Sequence, residues 1–187
     1  MSKTDISAHT QRLRPRIVSR IAAVLILTLL VVPGAFAQDV TTEFDESADF
    51  TKFKTFAIRD GQLNSRNPAL SSELTKKRIE TEIARALTAK GLTMVTTGPS
   101  DLNVFYQFGA ARRVETETYP AGWRGLGTRV ARVPYSEGTL VIDLRNPATR
   151  SLVWRGVATE GERDPNKLAE KLDDMVKKSI DKYPPKK

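Results

Sequence analysis

Apolar and polar residues alternate along this chain with two different periods, and each period predicts one kind of element. One-by-one alternation with a polar face is typical of strands in a sheet that is covered on one side only. This alternation, or a shorter extended piece, occurs in six segments: 40–44, 53–58, 92–95, 101–108, 138–144 and 151–158. The sequence therefore predicts a mostly antiparallel sheet of several short strands.

Two further segments repeat apolar residues at the spacing of a helix with one buried stripe. The first helix is expected to run from Pro68 or Ser71 to Lys90, with Gly91 as its C-cap. The second begins at Asp164, which offers an N-cap ahead of a proline. The stripes are Ile79, Ile83, Ala86 and Leu87 in the first helix and Leu168, Leu172, Met175 and Val176 in the second. Together these elements predict an α+β fold, a two-layer sandwich with a mostly antiparallel sheet and two helices packed on one face.

The first 37 residues have the organisation of a secretory signal peptide. Four arginines precede the apolar run 21–32, and the cleavage pattern Ala35-Phe36-Ala37 follows just before Gln38. This run is shorter than the roughly 20 residues that a helix needs to cross a bilayer, although an uncleaved N-terminal anchor is the alternative. We therefore expect cleavage after Ala37, no transmembrane segment after cleavage, and a soluble periplasmic or secreted protein. Residues 38–187 are expected to form a single globular α+β domain.

Cysteine is absent from the sequence, and the one histidine, His9, lies in the leader. Without thiol or imidazole, the remaining chain lacks the side chains for Ser-His or Cys-His catalysis and for zinc sites built on nitrogen or sulfur. It also lacks the cysteine that a lipid anchor requires. The leader has five basic residues and one acidic residue, which leaves +4 of the formal net charge of +8 for the rest. The composition thus favours a protein that is not an enzyme, has no cofactor or metal, and binds no nucleic acid.

The segment 109–136 interrupts the alternation with glycines, arginines and aromatic residues. Its outer parts fit extended strands, whereas its middle predicts a long mobile loop. The guanidinium group of arginine can form paired hydrogen bonds with phosphate or carboxylate groups. Aromatic rings offer a flat surface for a sugar ring or a lipid headgroup. The candidate surface for an anionic envelope component or a protein partner consists of Arg112, Arg113, Trp123, Arg124, Arg129 and Arg132. A solvated loop whose arginines only maintain solubility is the alternative.

Short motifs follow one another along the predicted strands in a fixed order: DFTKFKTF at 49–56, DLNV at 101–104, EGTLVID at 137–143 and VWRG at 153–156. With these motifs and its tyrosine-proline ending, the chain resembles the bacterial envelope family catalogued as domain of unknown function 4136, over about residues 42–184. The resemblance implies an exported, often lipid-anchored α+β domain of Gram-negative-type envelopes, without an established activity or catalytic residues. The missing cysteine is a departure from the lipid-anchored members.

Three functions remain open at this point, and a non-catalytic binding or structural module of the cell envelope is the preferred one. A carboxylate-based hydrolase of envelope glycans or lipids is the second, since Glu115 and Glu117 on one strand face would lie about 6–7 Å apart. An accessory subunit of an envelope transport or assembly complex is the third. Such a subunit would expose an apolar patch or a bare sheet edge.

Overall fold

The computed structural model describes residues 39–122 and 127–186, in which six strands form one sheet. The order of the strands across this sheet is β1-β6-β5-β4-β2-β3. Their bounds are β1 Asp39–Phe44, β2 Thr55–Asn64, β3 Thr93–Met94, β4 Leu102–Ala121, β5 Gly127–Arg145 and β6 Leu152–Glu162. The strands predicted from the alternating pattern are therefore present, and β4 and β5 are much longer than expected.

The sheet is mixed and curls into a half-barrel, so the expected two-layer sandwich with a mostly antiparallel sheet and two helices on one face is wrong. Strand β2 runs parallel to both β3 and β4, whereas the pairs β4–β5, β5–β6 and β6–β1 are antiparallel. The reason is the helix between β2 and β3. It carries the chain back along the sheet before the next strand begins, and such a crossover joins strands that run in the same direction.

Three α-helices and two short 3-10 turns complete the described part of the chain. The long helix α1 begins at Glu73, where the hydroxyl of the N-cap Ser72 accepts a hydrogen bond from the Thr75 amide. It ends before Gly91, which has the left-handed φ of +89° expected of a C-cap glycine. The predicted closing helix is divided at Lys171 into two pieces. The bounds are α1 Glu73–Ala89, α2 Pro165–Glu170 and α3 Leu172–Ile180, with 3-10 turns at Phe50–Lys52 and Pro68–Leu70.

The hydrophobic core lies between these helices and the face of the sheet toward which they turn their apolar stripes. Trp154 on β6 is fully buried in it, as is common for a large aromatic residue in a strand. Next to it, Gly156 allows α3 to approach the sheet closely. A Cβ at that position would lie 2.3 Å from the Ser179 hydroxyl oxygen and 2.4 Å from the Trp154 ring. No helix in the described part of the chain has the length and apolar character that a membrane span requires.

Strands β4 and β5 continue past the rest of the sheet as a two-stranded arm, which comprises residues 113–121 and 127–135. The pairing of β4 with β2 ends at Gly109, and the pairing of β5 with β6 ends at Ser136. Nine residue pairs at about 3.4 Å per residue give the arm a length of roughly 30 Å. The structure thus differs from the expected long loop, because β-branched residues on both strands favour extended pairing: Val114, Thr116, Thr118, Val130 and Val133.

Candidate functional site

The arm and its base at Arg112 carry the described members of the predicted anionic-partner surface, but these members are divided between two faces. Residues directly opposite each other in an antiparallel pair share a face, and the side alternates from one residue to the next. Arg113 and Arg129 therefore lie on the open face, which continues the side of the sheet away from the helices. Arg112 and Arg132 lie on the helix-side face. The two remaining predicted positions lie outside the described residues: Trp123 and Arg124.

On the open face of the arm, the charges are balanced within the chain. The Arg113 guanidinium donates to Glu137 across the strand pair, with an Nε–Oε1 distance of 3.1 Å. Glu117 forms an ion pair with Arg163, which lies just beyond the end of β6. This face therefore offers less free positive charge than its arginines suggest.

The helix-side face of the arm combines apolar and cationic side chains without any carboxylate. Val114 and Val130 lie on it with exposed fractions of 61% and 62%, since no helix extends this far along the strands. Exposed Arg112 and Arg132 lie on the same face. Two exposed valines thus lie beside two exposed arginines on this face.

A basal cleft of about 990 Å³ opens where the arm leaves the sheet. Leu63, Leu70 and Pro165 supply apolar parts of its wall, while Arg66 and Arg112 supply two cations and no lining residue is acidic. In the described part of the chain, neither guanidinium forms an ion pair or a hydrogen bond with another residue, so both are available to a ligand. The described lining of the basal cleft therefore combines two unpaired guanidinium groups with an apolar wall and no carboxylate.

A second polar cluster lies on the open face of the sheet body. Asp143 on β5 accepts two hydrogen bonds from Arg155, at 2.6 and 2.8 Å, and one from Arg145, at 2.9 Å. The Arg145 guanidinium also lies over the Phe105 ring, 5.7 Å from its centroid. A groove of about 280 Å³ runs along this cluster, lined in addition by Asp60, Gln62 and Gln107.

The carboxylate of Asp143 is held in its charged form by these arginines. Burial alone would raise its pKa, because only 7% of the residue is exposed, but the hydrogen bonds from Arg155 and Arg145 outweigh burial and lower the pKa below its usual range. Both carboxylate oxygens are occupied by guanidinium donors. This arrangement suits a cross-strand clamp that fixes three neighbouring side chains, rather than a general base that needs a free oxygen.

One buried carboxylate lies on the opposite, helix-side face of the sheet. Burial raises the pKa of Glu160 on β6, while the positive charges of Lys171 and Lys178 on the helical segment partly oppose this rise. Among the described residues, no group of three or more acidic, histidine or cysteine side chains is arranged to hold a metal ion. The predicted pair Glu115 and Glu117 lies on the arm, where Glu117 is already paired.

The sequence analysis found Arg112 but missed Arg66, the second cation of the basal cleft. Arg66 lies in the polar segment after β2, where a single arginine has no pattern that sets it apart from an ordinary surface residue. The cluster around Asp143 was missed as well, although a signal existed. An aspartate within the apolar run 140–144 needs a charged partner if that run is a strand, and Arg145 and Arg155 were available.

The chain belongs to the family described as Domain of unknown function (DUF4136), whose sequence profile matches residues 40–185. This confirms the membership that the strand motifs indicated. No curated protein matches the chain.

Solved structures of low sequence identity share parts of this fold. A PDZ domain protein from Parabacteroides distasonis has a TM-score of 0.55 and 19% identity over 80% of this chain, and the chain spans 37% of that protein. The PelC dodecamer from Paraburkholderia phytofirmans has a TM-score of 0.46 and 13% identity, covering 77% of this chain and 95% of that one. Lipoprotein GNA1162 from Neisseria meningitidis has a TM-score of 0.35 and 10% identity, covering 68% of this chain and 98% of that one. At these identities the first similarity indicates the fold alone.

Proposed function

We propose that this domain is a non-catalytic binding module of the bacterial cell envelope and that the basal cleft is its ligand-binding site. The observation that carries the proposal is the combination of Arg66 and Arg112 with an apolar wall and no acidic lining residue. Guanidinium groups recognise phosphate and carboxylate groups through paired hydrogen bonds. The ligand class is therefore an anionic envelope component that also has an apolar part.

The proposed location outside the cytoplasm is supported by the leader pattern of residues 1–37. After cleavage at Ala37, the protein would be a soluble periplasmic or secreted domain without a lipid anchor, because the chain has no cysteine to acylate. Anionic lipid headgroups and peptidoglycan are both present in that compartment. Either of them could supply the negative charge that would pair with the two arginines of the basal cleft.

A carboxylate-based hydrolase is supported less well by the described residues. Asp143 has both oxygens occupied by arginine donors, and Glu117 is ion-paired with Arg163. A hydrolase of this class needs one carboxyl group that can give up a proton and a second one that is free to act on water or on the substrate. The arrangement of charges around the basal cleft favours binding instead.

The proposal predicts that retention on anionic envelope material depends on the two arginines of the basal cleft. The processed protein would be sedimented with vesicles of phosphatidylglycerol and phosphatidylcholine, with vesicles of phosphatidylcholine alone, and with purified peptidoglycan sacculi. We expect the double variant Arg66→Ala and Arg112→Ala to bind its anionic target about tenfold more weakly, because two charge-assisted contacts are lost.

The matched control is the double variant Lys77→Ala and Lys177→Ala, which removes the same charge from two exposed helix positions outside the basal cleft. It should retain nearly full binding. Equal binding of all three proteins, or equal loss in both double variants, would reject the basal cleft as the binding site.

A further inference from the structure

We propose that two copies of this chain associate through the β4 edges of their arms, in an antiparallel pairing in which Val114 of each copy faces Val114 of the other. The proposal shares residues 110–112 of β4 with the wall of the basal cleft, but it does not use the guanidinium groups of Arg66 and Arg112. It depends on the backbone of β4 and on the order of charges along that strand. Ligand binding and self-association can therefore fail independently of each other.

The arm has unpaired strand edges among the described residues. A two-stranded ribbon is marginally stable in water, and an edge strand presents a row of free amide and carbonyl groups that can pair with another strand. On the β4 side, pairing with β2 stops at Gly109, and the first proline is Pro120. Residues 110–119 thus form a proline-free stretch of strand with no neighbour on this side among the described residues.

The order of charges along the β4 edge selects one register of pairing. In a symmetric antiparallel pair the two strands share their faces, so the symmetry axis passes through a residue that faces its own copy. With Val114 at the axis, Arg113 of each copy lies opposite Glu115 of the other, and two cross-strand ion pairs form. Moving the axis to Arg113 would oppose two arginines. Moving it to Glu115 would oppose two glutamates at the axis and would place Arg113 opposite Glu117, which is already ion-paired with Arg163.

The length of β4 that has no neighbouring strand fits the same register. With Val114 at the axis, pairing extends from Ala110, opposite Thr118 of the other copy, to Thr118, opposite Ala110 of the other copy. This gives nine paired residues on each strand. One residue further, Tyr119 would lie opposite Gly109, whose outer side is already covered by β2. The register selected by charge therefore uses nearly the whole free edge and stops before Pro120.

The other edge of the arm is unsuited to self-association. The β5 segment 127–135 contains Arg129 and Arg132 but no carboxylate, so two copies of it would bring only positive charges together. Pro134 also removes a backbone donor close to the sheet. In contrast, the β4 edge carries both signs of charge within three residues, and the apolar side chain of Val114 lies between them.

Disulfide trapping provides a direct test, since the chain has no cysteine of its own. The full chain would be expressed, and its processed product would be purified as the variant Val114→Cys and as the control Val130→Cys. The control residue is equally exposed and lies on the same face of the arm, but on β5. Under mild oxidation we expect Val114→Cys to form a disulfide-linked dimer at least about tenfold faster, because facing residues of paired strands have Cα separations that suit a disulfide.

Charge exchange tests the register in the native thiol-free protein. In sedimentation equilibrium, we expect Arg113→Glu alone and Glu115→Arg alone each to raise the dimer dissociation constant by about tenfold, because attractive pairs become repulsive. The double exchange should restore the dimer. The proposal is overturned if the native protein is monomeric at all concentrations, if Val130→Cys cross-links as fast as Val114→Cys, or if the double exchange stays dissociated. Dimer formation that persists when vesicle binding is lost would support this proposal and reject only the binding function of the basal cleft.

Discussion

At the scale of single residues, Asp143 determines how the sheet body responds to acid. Its pKa is lowered in the folded protein by hydrogen bonds that outweigh the effect of burial, so the charged form stabilises the fold at neutral pH. This contribution is complete above the unfolded-state pKa of about 3.9 and is lost as the pH falls through the lower folded-state value. Acid therefore weakens the clamp between β5 and β6.

The variant Asp143→Asn should lower the free energy of unfolding by about 2 kcal/mol at pH 7, because Arg145 and Arg155 are left facing a neutral amide. The difference from the native protein should begin to shrink below about pH 4, where the carboxyl group of the unfolded chain takes up a proton, and should disappear below the lowered pKa of the folded protein. Urea unfolding at pH 7 and pH 3 measures both values. A difference of the same size at the two pH values would show that the charge of Asp143 is not what stabilises the clamp.

Individual residues could be predicted from the sequence where their role follows from local pattern. The burial of Trp154 and the cap position of Gly91 are examples, since an aromatic residue in a strand and a glycine after a helical stripe each have one common use. The partners of Asp143 depend on the register between β5 and β6. That register is fixed by packing across the whole sheet, so the sequence around Asp143 could only indicate that some cation must be near.

At the scale of elements, the arm is the part of the described structure that depends least on the core. Its side chains are mostly exposed, and its strands pair only with each other beyond Arg112 and Ser136. We expect that replacing residues 112–136 with the two-residue turn Asn-Gly, which joins the facing residues Ala111 and Glu137, leaves the fold intact. Thermal unfolding followed by circular dichroism should give a melting temperature within about 4 °C of the native value, equivalent to about 1 kcal/mol.

This deletion also separates the role of the arm from the stability of the domain. It removes the β4 edge, Arg112 and the predicted surface around the arginines, so self-association and anion retention should both be lost while the helix content is unchanged. Unfolding of the shortened protein at room temperature would contradict the view that the arm is energetically separate from the sheet body.

Helices and strands could be predicted where the apolar period was long and regular, as in α1 and in the central parts of β4, β5 and β6. The direction of the strands could not, because alternation with a polar face was interpreted as a sign of antiparallel pairing. The helical segment between β2 and β3 was the better guide, since a helix between neighbouring strands indicates a parallel crossover. The strand pairing of the arm was missed because its glycines and arginines resemble a loop in composition.

At the scale of the whole molecule, the expected removal of the leader can be tested directly. Protein purified from cells that express the full chain should begin at Gln38 and should be released with the periplasmic or extracellular fraction. Edman degradation or intact-mass measurement gives the first residue, and fractionation gives the compartment. An N-terminus before Gln38, or recovery from the cytoplasm, would contradict the export proposal and would leave an uncleaved anchor as the alternative.

The candidate surface shows how far sequence reasoning reaches for a whole binding site. The region rich in arginines was expected to be a loop distinct from the sheet, but it continues β4 and β5. Its described members lie on two faces, and among them only Arg112 lines the basal cleft. The other wall of the basal cleft comes from residues 63–70 and from the start of α2, which are far away in the sequence. Only the crossover topology brings these segments together.

The separation of the arm from the core also has an evolutionary consequence. Substitutions in an arm whose described strands pair only with each other are rarely eliminated for harming the fold, whereas a side chain added at Gly156 would collide with Ser179 and Trp154. Members of the family can therefore differ in the length and charge order of the arm while the rest of the sheet and the helices stay unchanged. Sequence variation within this family is therefore expected to be greater in the arm than around Gly156.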